Sequence, residues 1–298
     1  MLGHGIKAIR EHLEQLPSQD NLSLEKKRGF YDKATALFPV PPGIEVDERT
    51  VGGVAGEWHR PVEHDDGYAV LYLHGGGYAI GSPASHRHMI AAIALSSRAQ
   101  AFAVDYRLAP EHPFPGAVED ALDAYRGLLD AGFAPSKLVI GGDSAGGGLA
   151  AAALLAIKRA GLPQPAGAVC ISPWADLSNS ADSYRTKAAV DPMVREKDIK
   201  AYAAMYLNDT APDEPLASPV CGDLSGIAPL LIQVGADEIL LDDSALLAER
   251  ARDAGVEVTH EVWDKMVHVW HWFGKYLDEA GEATQRIGEF VRDRTGRA

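Results

Sequence analysis

A serine flanked by glycines, Gly142-Asp143-Ser144-Ala145-Gly146, follows the strand-like run Lys137-Leu138-Val139-Ile140 and leads into an Ala- and Leu-rich stretch ending near Arg159. A strand that reverses into a helix within so few residues strains the serine backbone, and flanking glycines leave room for that geometry. The pentapeptide also occurs in ordinary turns; its strand-turn-helix setting gives it chemical weight. A hydroxyl is a weak nucleophile without a base, an orienting carboxylate and donors for the developing oxyanion. The run His74-Gly75-Gly76-Gly77 closes another strand-like segment, and three glycines let successive N–H groups turn towards one point. It lacks the continuation of a phosphate-binding loop, since Tyr78-Ala79-Ile80 follows.

For the carboxylate, Asp237 stands just beyond the carboxyl end of the core-like run 229–235, where side chains of an open α/β sheet meet ligands. Glu238, Asp242 and Asp243 compete from positions further from the strand end, which suits solvated surface acids better. Asp191 has no apolar run before it and reads as a turn or helix start. Three histidines follow the acid. His260 falls inside the alternating stretch 256–262 and reads as a strand residue, whereas His268 lies past that strand, free to present an imidazole at the sheet edge. His271, one helical turn on, is the alternative base. The order Ser144, Asp237, His268 is that of a hydrolase triad on a strand-turn-helix serine.

Positioning these groups requires a sheet. Strand-like runs at 44–48, 53–60, 68–73, 100–105, 137–141, 166–171, 229–234 and 256–262 alternate, from residue 68 onward, with helix-like runs at 86–97, 116–131, 145–160, 243–254 and 278–292. That alternation predicts an α/β fold with a mostly parallel sheet covered on both faces. Leu2, Ile6, Ile9, Leu13 and Leu16 mark a helical stripe; after a break near Pro17, Phe30, Ala34 and Leu37 mark a second, ended by Pro41-Pro42.

The 298 residues, 46% hydrophobic and 23% charged, suit a single α/β domain with a large core. A net charge of −14 argues against nucleic acid or anionic membrane as partners. The first 20 residues carry charges and no apolar signal-like core, which leads to the expectation of a cytoplasmic protein. Cys170 reads as a buried strand thiol and Cys221 as a loop residue, a pair with neither metal spacing nor a disulfide framework.

The chain resembles the hormone-sensitive-lipase family of carboxylesterases, within the α/β-hydrolases, at His74-Gly75-Gly76-Gly77 and Gly142-Asp143-Ser144-Ala145-Gly146-Gly147. It is also similar at Asp105-Tyr106-Arg107-Leu108-Ala109-Pro110-Glu111 with Phe114-Pro115, and at Ser172-Pro173-Trp174. These blocks cover most of residues 68–275, in the family's order and spacing. It departs where Glu238 follows Asp237, a position at which many members have proline; the local variant is most similar to small bacterial esterases and lactone hydrolases.

The resemblance implies an eight-stranded α/β-hydrolase sheet with a helical cap built from about 1–40 and 180–217 in one domain spanning 1–298. It implies Ser144, Asp237 and His268 as the triad, Gly76, Gly77 and Ala145 as oxyanion donors, and His74 as a support for the glycine loop. The expected activity is hydrolysis of short- to medium-chain carboxylic esters through an acyl-enzyme, with no metal or organic cofactor. Lactone hydrolysis with the same triad, or ligand binding without catalysis, are the alternatives. The expected partner is a small ester, with a homodimer as a further possibility. Tyr78, Trp174, Tyr184, Met193, Tyr206 and Val269 are candidate pocket walls, although large apolar residues of this kind also serve as core. Loss of residues 1–38 is expected to hurt long acyl esters more than acetates, if these residues wall the acyl pocket.

Overall fold

The structure, a computed structural model, describes residues 2–34 and 38–297; Leu37, expected on the second N-terminal stripe, lies outside them. Two helices, α1 (Ile6–Glu14) and α2 (Leu24–Ala34), precede the strands β1 (Ile44–Val51), β2 (Val54–Pro61) and β3 (Ala69–Leu73). Then come α3 (Pro83–Ser97), β4 (Gln100–Val104), α4 (Gly116–Asp130), β5 (Leu138–Asp143), α5 (Ala145–Arg159) and β6 (Gly167–Ile171). The chain continues through α6 (Ser183–Thr186), α7 (Glu196–Leu207), β7 (Leu230–Gly235), α8 (Leu241–Asp253), β8 (Val258–Trp263) and α9 (Asp278–Arg294).

Among the described residues the strands form one sheet ordered β1-β2-β4-β3-β5-β6-β7-β8. β2 runs antiparallel to both β1 and β4, and every pairing from β4 across to β8 is parallel. The central strands are buried along their whole length. Helices cover both faces, so these strands read as continuous apolar runs rather than alternating ones. The two-residue period survives in which core each side chain enters. Leu71 and Leu73 join Leu128 of α4 and Leu149 of α5, whereas Val70 and Tyr72 join Ile90 of α3 and Ile287 of α9.

Each expected strand forms, and the helical runs recur with ends shifted by a few residues. The largest shift is at α3, which begins three residues early because Ser82 caps it. Ser82 and Ser85 exchange side-chain and backbone hydrogen bonds in a capping box, and Pro83 occupies the first turn, where no N–H is needed. The N-terminal stripe is also present. Ile9 is wholly buried in the core shared with α3 and α9, and Leu2, Ile6 and Leu13 pack beside it. Leu16, expected on the same stripe, lies past the end of α1 and is exposed.

Candidate active site

β5 ends at Asp143 and α5 starts at Ala145, leaving Ser144 alone in the turn with φ 55° and ψ −121°. A non-glycine residue at positive φ is strained and persists only when its surroundings over-determine it. They do so here. The Ser144 N–H donates to the Ile171 carbonyl at 2.8 Å, and the Ser144 carbonyl accepts from Trp174 N–H at 2.9 Å. The flanking glycines are explained by close backbone approach. A Cβ on Gly142 would lie 2.2 Å from the Gly146 carbonyl oxygen, and one on Gly146 2.0 Å from that of Leu73.

His268 follows the β8 strand, and its Nε2 lies 2.9 Å from Ser144 Oγ. Its Nδ1 lies 2.7 Å from an oxygen of Glu238, and this carboxylate is completely buried. Asp237 does not reach the imidazole, contrary to the sequence expectation; its carboxylate pairs with Arg10 and sits 3.8 Å from Lys187 Nζ. The reason is the tight turn after β7. The Gly235 N–H donates to Glu238 Oε1 at 2.6 Å, while Asp237 N–H donates to the Met266 carbonyl. Across that turn consecutive side chains part, Glu238 inward and Asp237 outward. Gly235 permits it, because a Cβ there would lie 2.3 Å from the Met266 carbonyl oxygen and 2.9 Å from Glu238 Oε1.

Ser172, within the Ser-Pro-Trp block, was not singled out from sequence. Its hydroxyl donates to Glu238 Oε1 at 2.7 Å and accepts the Val269 N–H at 3.2 Å, joining the acid to the backbone beside the base. Burial by itself would lower the His268 pKa; the Glu238 carboxylate outweighs it, with Asp191 and Asp143 adding to the field, and the net shift is upward. His271 is held elsewhere, its Nε2 at 2.8 Å from Gln233 Oε1, and burial pushes its pKa down to about 3. Asp191 is a buried anchor. One oxygen accepts the N–H groups of Met193 and Val194, and the other that of Ile239, each at 2.9 Å.

The glycine loop lies across from Ser144. Gly76 and Gly77 have φ of 117° and 61°, values that favour glycine. Asp143 holds the start of the loop by accepting the Gly75 N–H at 3.1 Å and the Tyr72 hydroxyl at 2.8 Å. Burial works to raise the Asp143 pKa, but the His86 ring and Tyr72 hydroxyl offset it and keep the carboxyl below its ordinary value. His74 stacks on Tyr106 at 4.2 Å, Tyr106 O–H donates to the His74 carbonyl, and His74 Nδ1 is 2.8 Å from the Gly75 carbonyl. Burial, with His86 nearby, pushes the His74 pKa down to about 3, so this ring acts as a neutral spacer under the loop. Ala145 opens α5, and its N–H is among the first-turn amides that have no intrahelical acceptor.

Of the candidate wall residues, Tyr78, Trp174, Tyr184 and Tyr206 are almost fully buried in the larger core, where Tyr78 stacks on Tyr206 at 3.7 Å. They are core side chains and not open walls. Val269 adjoins the base and Met193 packs at the edge of the second core. A cavity of about 90 Å³ is lined by Leu22, Leu24, Lys27, Asp198, Ala201, Tyr202 and Met205. Tyr202 of α7 links it to the glycine loop, since a Cβ on Gly77 would lie 2.7 Å from that ring. Neither this cavity nor a larger groove of about 440 Å³ between β8 and α9 has a triad residue in its wall, and only the smaller one adjoins the glycine loop through Tyr202. Among the described residues no cluster of three or more His, Cys, Asp or Glu side chains could hold a metal, and no helix is long and apolar enough to cross a membrane.

A strained serine on a βα turn, a histidine–carboxylate pair and a glycine loop on a parallel sheet define an α/β hydrolase. The chain belongs to the alpha/beta hydrolase fold family, whose model matches residues 70–272, and within it to the hormone-sensitive-lipase esterases. It is 47% identical to an acetyl-hydrolase of Streptomyces hygroscopicus over 98% of this chain and 97% of that protein. The crystal structure of EstE5 soaked in ethyl alcohol superposes with a TM-score of 0.95 at 47% identity, covering 98% of both chains. An esterase from the bacterial hormone-sensitive lipase family superposes with a TM-score of 0.93 at 45% identity, covering 98% of this chain and 97% of that one.

Proposed function

We propose that this chain is a serine carboxylesterase for short- to medium-chain esters, with Ser144 as nucleophile, His268 as general base and Glu238 as orienting acid. The observation that carries the reading is the continuous hydrogen-bonded path from Ser144 through His268 to Glu238, at 2.9 and 2.7 Å. His268 Nε2 takes the Ser144 proton as Oγ attacks the ester carbonyl carbon. The carbonyl oxygen becomes an oxyanion held by the N–H groups of Gly76, Gly77 and Ala145. Collapse breaks the bond to the alkoxide, which leaves with the proton from His268. Water, deprotonated by His268, then attacks the acyl-enzyme, and the acid departs as Ser144 regains its proton. Glu238 fixes the Nδ1–H tautomer and stabilises the imidazolium throughout.

In this reading the cavity of about 90 Å³ beside Tyr202 takes the acyl or alkyl group, and its small size favours a short one. The acetyl-hydrolase name of the Streptomyces relative points the same way. The residues near 180–217 and the N-terminal helices act as a cap in this reading, supported by the Tyr202 contact with Gly77. Both cysteines are free thiols, one buried and one exposed, which fits a reducing cytoplasm. Sedimentation would show whether the enzyme works as a monomer or a homodimer.

The test is hydrolysis of p-nitrophenyl acetate, butyrate and decanoate, with an organophosphate label read by peptide mapping. Label on Ser144 and total loss of turnover in Ser144→Ala are expected. Label on another serine, or turnover persisting in Ser144→Ala, defeats the mechanism.

A further inference from the structure

The two N-terminal helices contribute no member of the triad, yet each sends one arginine to the catalytic loops. Arg10 of α1 donates to the Val190 carbonyl at 2.9 Å and the Lys265 carbonyl at 3.0 Å, and pairs with Asp237. Those partners belong to three different loops. Asp237 precedes the acid Glu238, Lys265 lies three residues before the base His268, and Val190 precedes Asp191, whose carboxylate takes the Ile239 N–H. Arg28 of α2 donates to the Ala79 carbonyl at 2.8 Å and the Ala109 carbonyl at 2.9 Å, and forks onto both oxygens of Glu111 at 2.9 and 2.7 Å. Ala79 ends the glycine loop, its N–H bonded to the Gly76 carbonyl, and Ala109 N–H donates to the Tyr78 carbonyl. Further along α2, Asp32 accepts the Ser82 hydroxyl at 3.0 Å, beyond the same loop.

We propose that the N-terminal helices form a two-arginine brace, in which Arg10 positions the acid and base loops and Arg28 positions the oxyanion loop. The assignment rests on the triad reading above and goes beyond it by naming what holds each half of the machinery in register. A guanidinium suits the task because its donors lie in one rigid plane and can bind two carbonyls and a carboxylate together. Both side chains are about a quarter exposed, 24% for Arg10 and 28% for Arg28. Ion pairs at that exposure add little to global stability. A displacement of about 1 Å at reacting groups, in contrast, can cost roughly a hundredfold in rate. Loss of either arginine therefore acts on kcat more than on folding, and equally on short and long esters.

The test uses the full chain carrying Arg10→Met or Arg28→Met, with Arg10→Lys and Arg28→Lys as milder variants should either methionine protein misfold. Turnover of p-nitrophenyl acetate and p-nitrophenyl hexanoate is followed against pH, beside Ser144→Ala and Glu238→Gln. Both methionine variants should lose about ten- to a hundredfold in kcat on both esters with little change in KM, and the lysine variants should fall between. Arg10→Met should also move the acid limb of the rate profile down, because a looser Glu238 contact raises the His268 pKa less. The carboxylates facing His268 are Glu238, Asp191 and Asp143, so removing a positive charge without loosening would move that limb up. Arg28→Met should leave the limb in place. Folded variants with kcat within about twofold of the parent, a loss growing with acyl length, or an identical limb shift in both variants overturns the brace. Should Ser144→Ala and Glu238→Gln retain turnover, the triad reading fails instead.

Discussion

Glu238 has every part of its carboxylate committed: one oxygen receives the Ser172 hydroxyl and the Gly235 N–H, the other the His268 imidazole. Glu238→Gln keeps the shape but removes the charge that selects the Nδ1–H tautomer, so turnover is expected to fall by roughly 10⁴. Asp237→Asn should lose no more than about tenfold, through its share of the Arg10 contact. Steady-state kinetics of the two variants on one ester decides between them, and the reverse ranking would return the acid role to Asp237. The raised His268 pKa sets the pH profile. Only the neutral ring accepts a proton, so the rate should climb as pH rises, through an apparent pKa above the ordinary value of about 6.5. A limb at or below that value would contradict the Glu238–His268 pairing as the dominant influence on the ring.

Among the elements, α7 is the one the proposed reading assigns to limiting the substrate. Tyr202 presses on Gly77 and forms one wall of the small cavity, with Leu24 of α2 and Met205 of α7. Tyr202→Ala should widen this space and move the acyl-length optimum to longer esters, each added methylene gaining up to about 0.8 kcal/mol of burial. An unchanged p-nitrophenyl ester profile would place the acyl chain elsewhere. The βα turn is less forgiving. Gly146→Ala drives a methyl into the Leu73 carbonyl, so overpacking of at least 1–3 kcal/mol is expected, read as a lowered denaturation midpoint.

The whole molecule carries an acid-sensitive core. His74 and His271 are held neutral down to about pH 3 and His88 down to about pH 4, all chiefly by burial. In the unfolded chain each ring binds a proton near pH 6.5, whereas in the fold it does not. Unfolding therefore takes up protons between those values, and stability falls as pH drops below about 6.5. His268, with its raised pKa, has the opposite sign, and its gain is complete once pH has fallen to about 6.5. Asp243, whose carboxyl burial pushes up to about 8, has that sign too and offsets about one of the three rings below that pH. With three rings opposed by the Asp243 carboxyl, urea midpoints should decline from about pH 6.5 to about pH 4, and a flat or rising curve would mean that the rings are not held neutral within the fold. Of the three rings, His88 packs edge-on against Trp272 and stacks on Phe38, with Tyr31 of α2 on the same tryptophan, so its share of the acid strain falls where the N-terminal segment meets α3.

Much of this organisation was legible in the sequence, because it rests on local rules. Apolar runs bounded by turn residues located the strands, glycine spacing located the Ser144 turn and the glycine loop, and chain order with the end of a strand located His268. Asp237 against Glu238 could not be settled that way. Adjacent residues in a turn differ in direction, and direction depends on Gly235 meeting the Met266 carbonyl, a contact 31 residues distant in sequence. Ser172 gave a faint signal as part of the Ser-Pro-Trp block, but its partners Glu238 and Val269 arrive from the segments after β7 and β8. The pocket walls were least legible, since aromatic type marks Tyr78 and Tyr206 as readily for the core as for a cavity. The sequence by itself determined which residues could react and on which elements they sit. Tertiary packing alone decided which carboxylate faces the imidazole, which rings face open space, and that Arg10 and Arg28 reach the catalytic loops, because each depends on the meeting of segments distant along the chain.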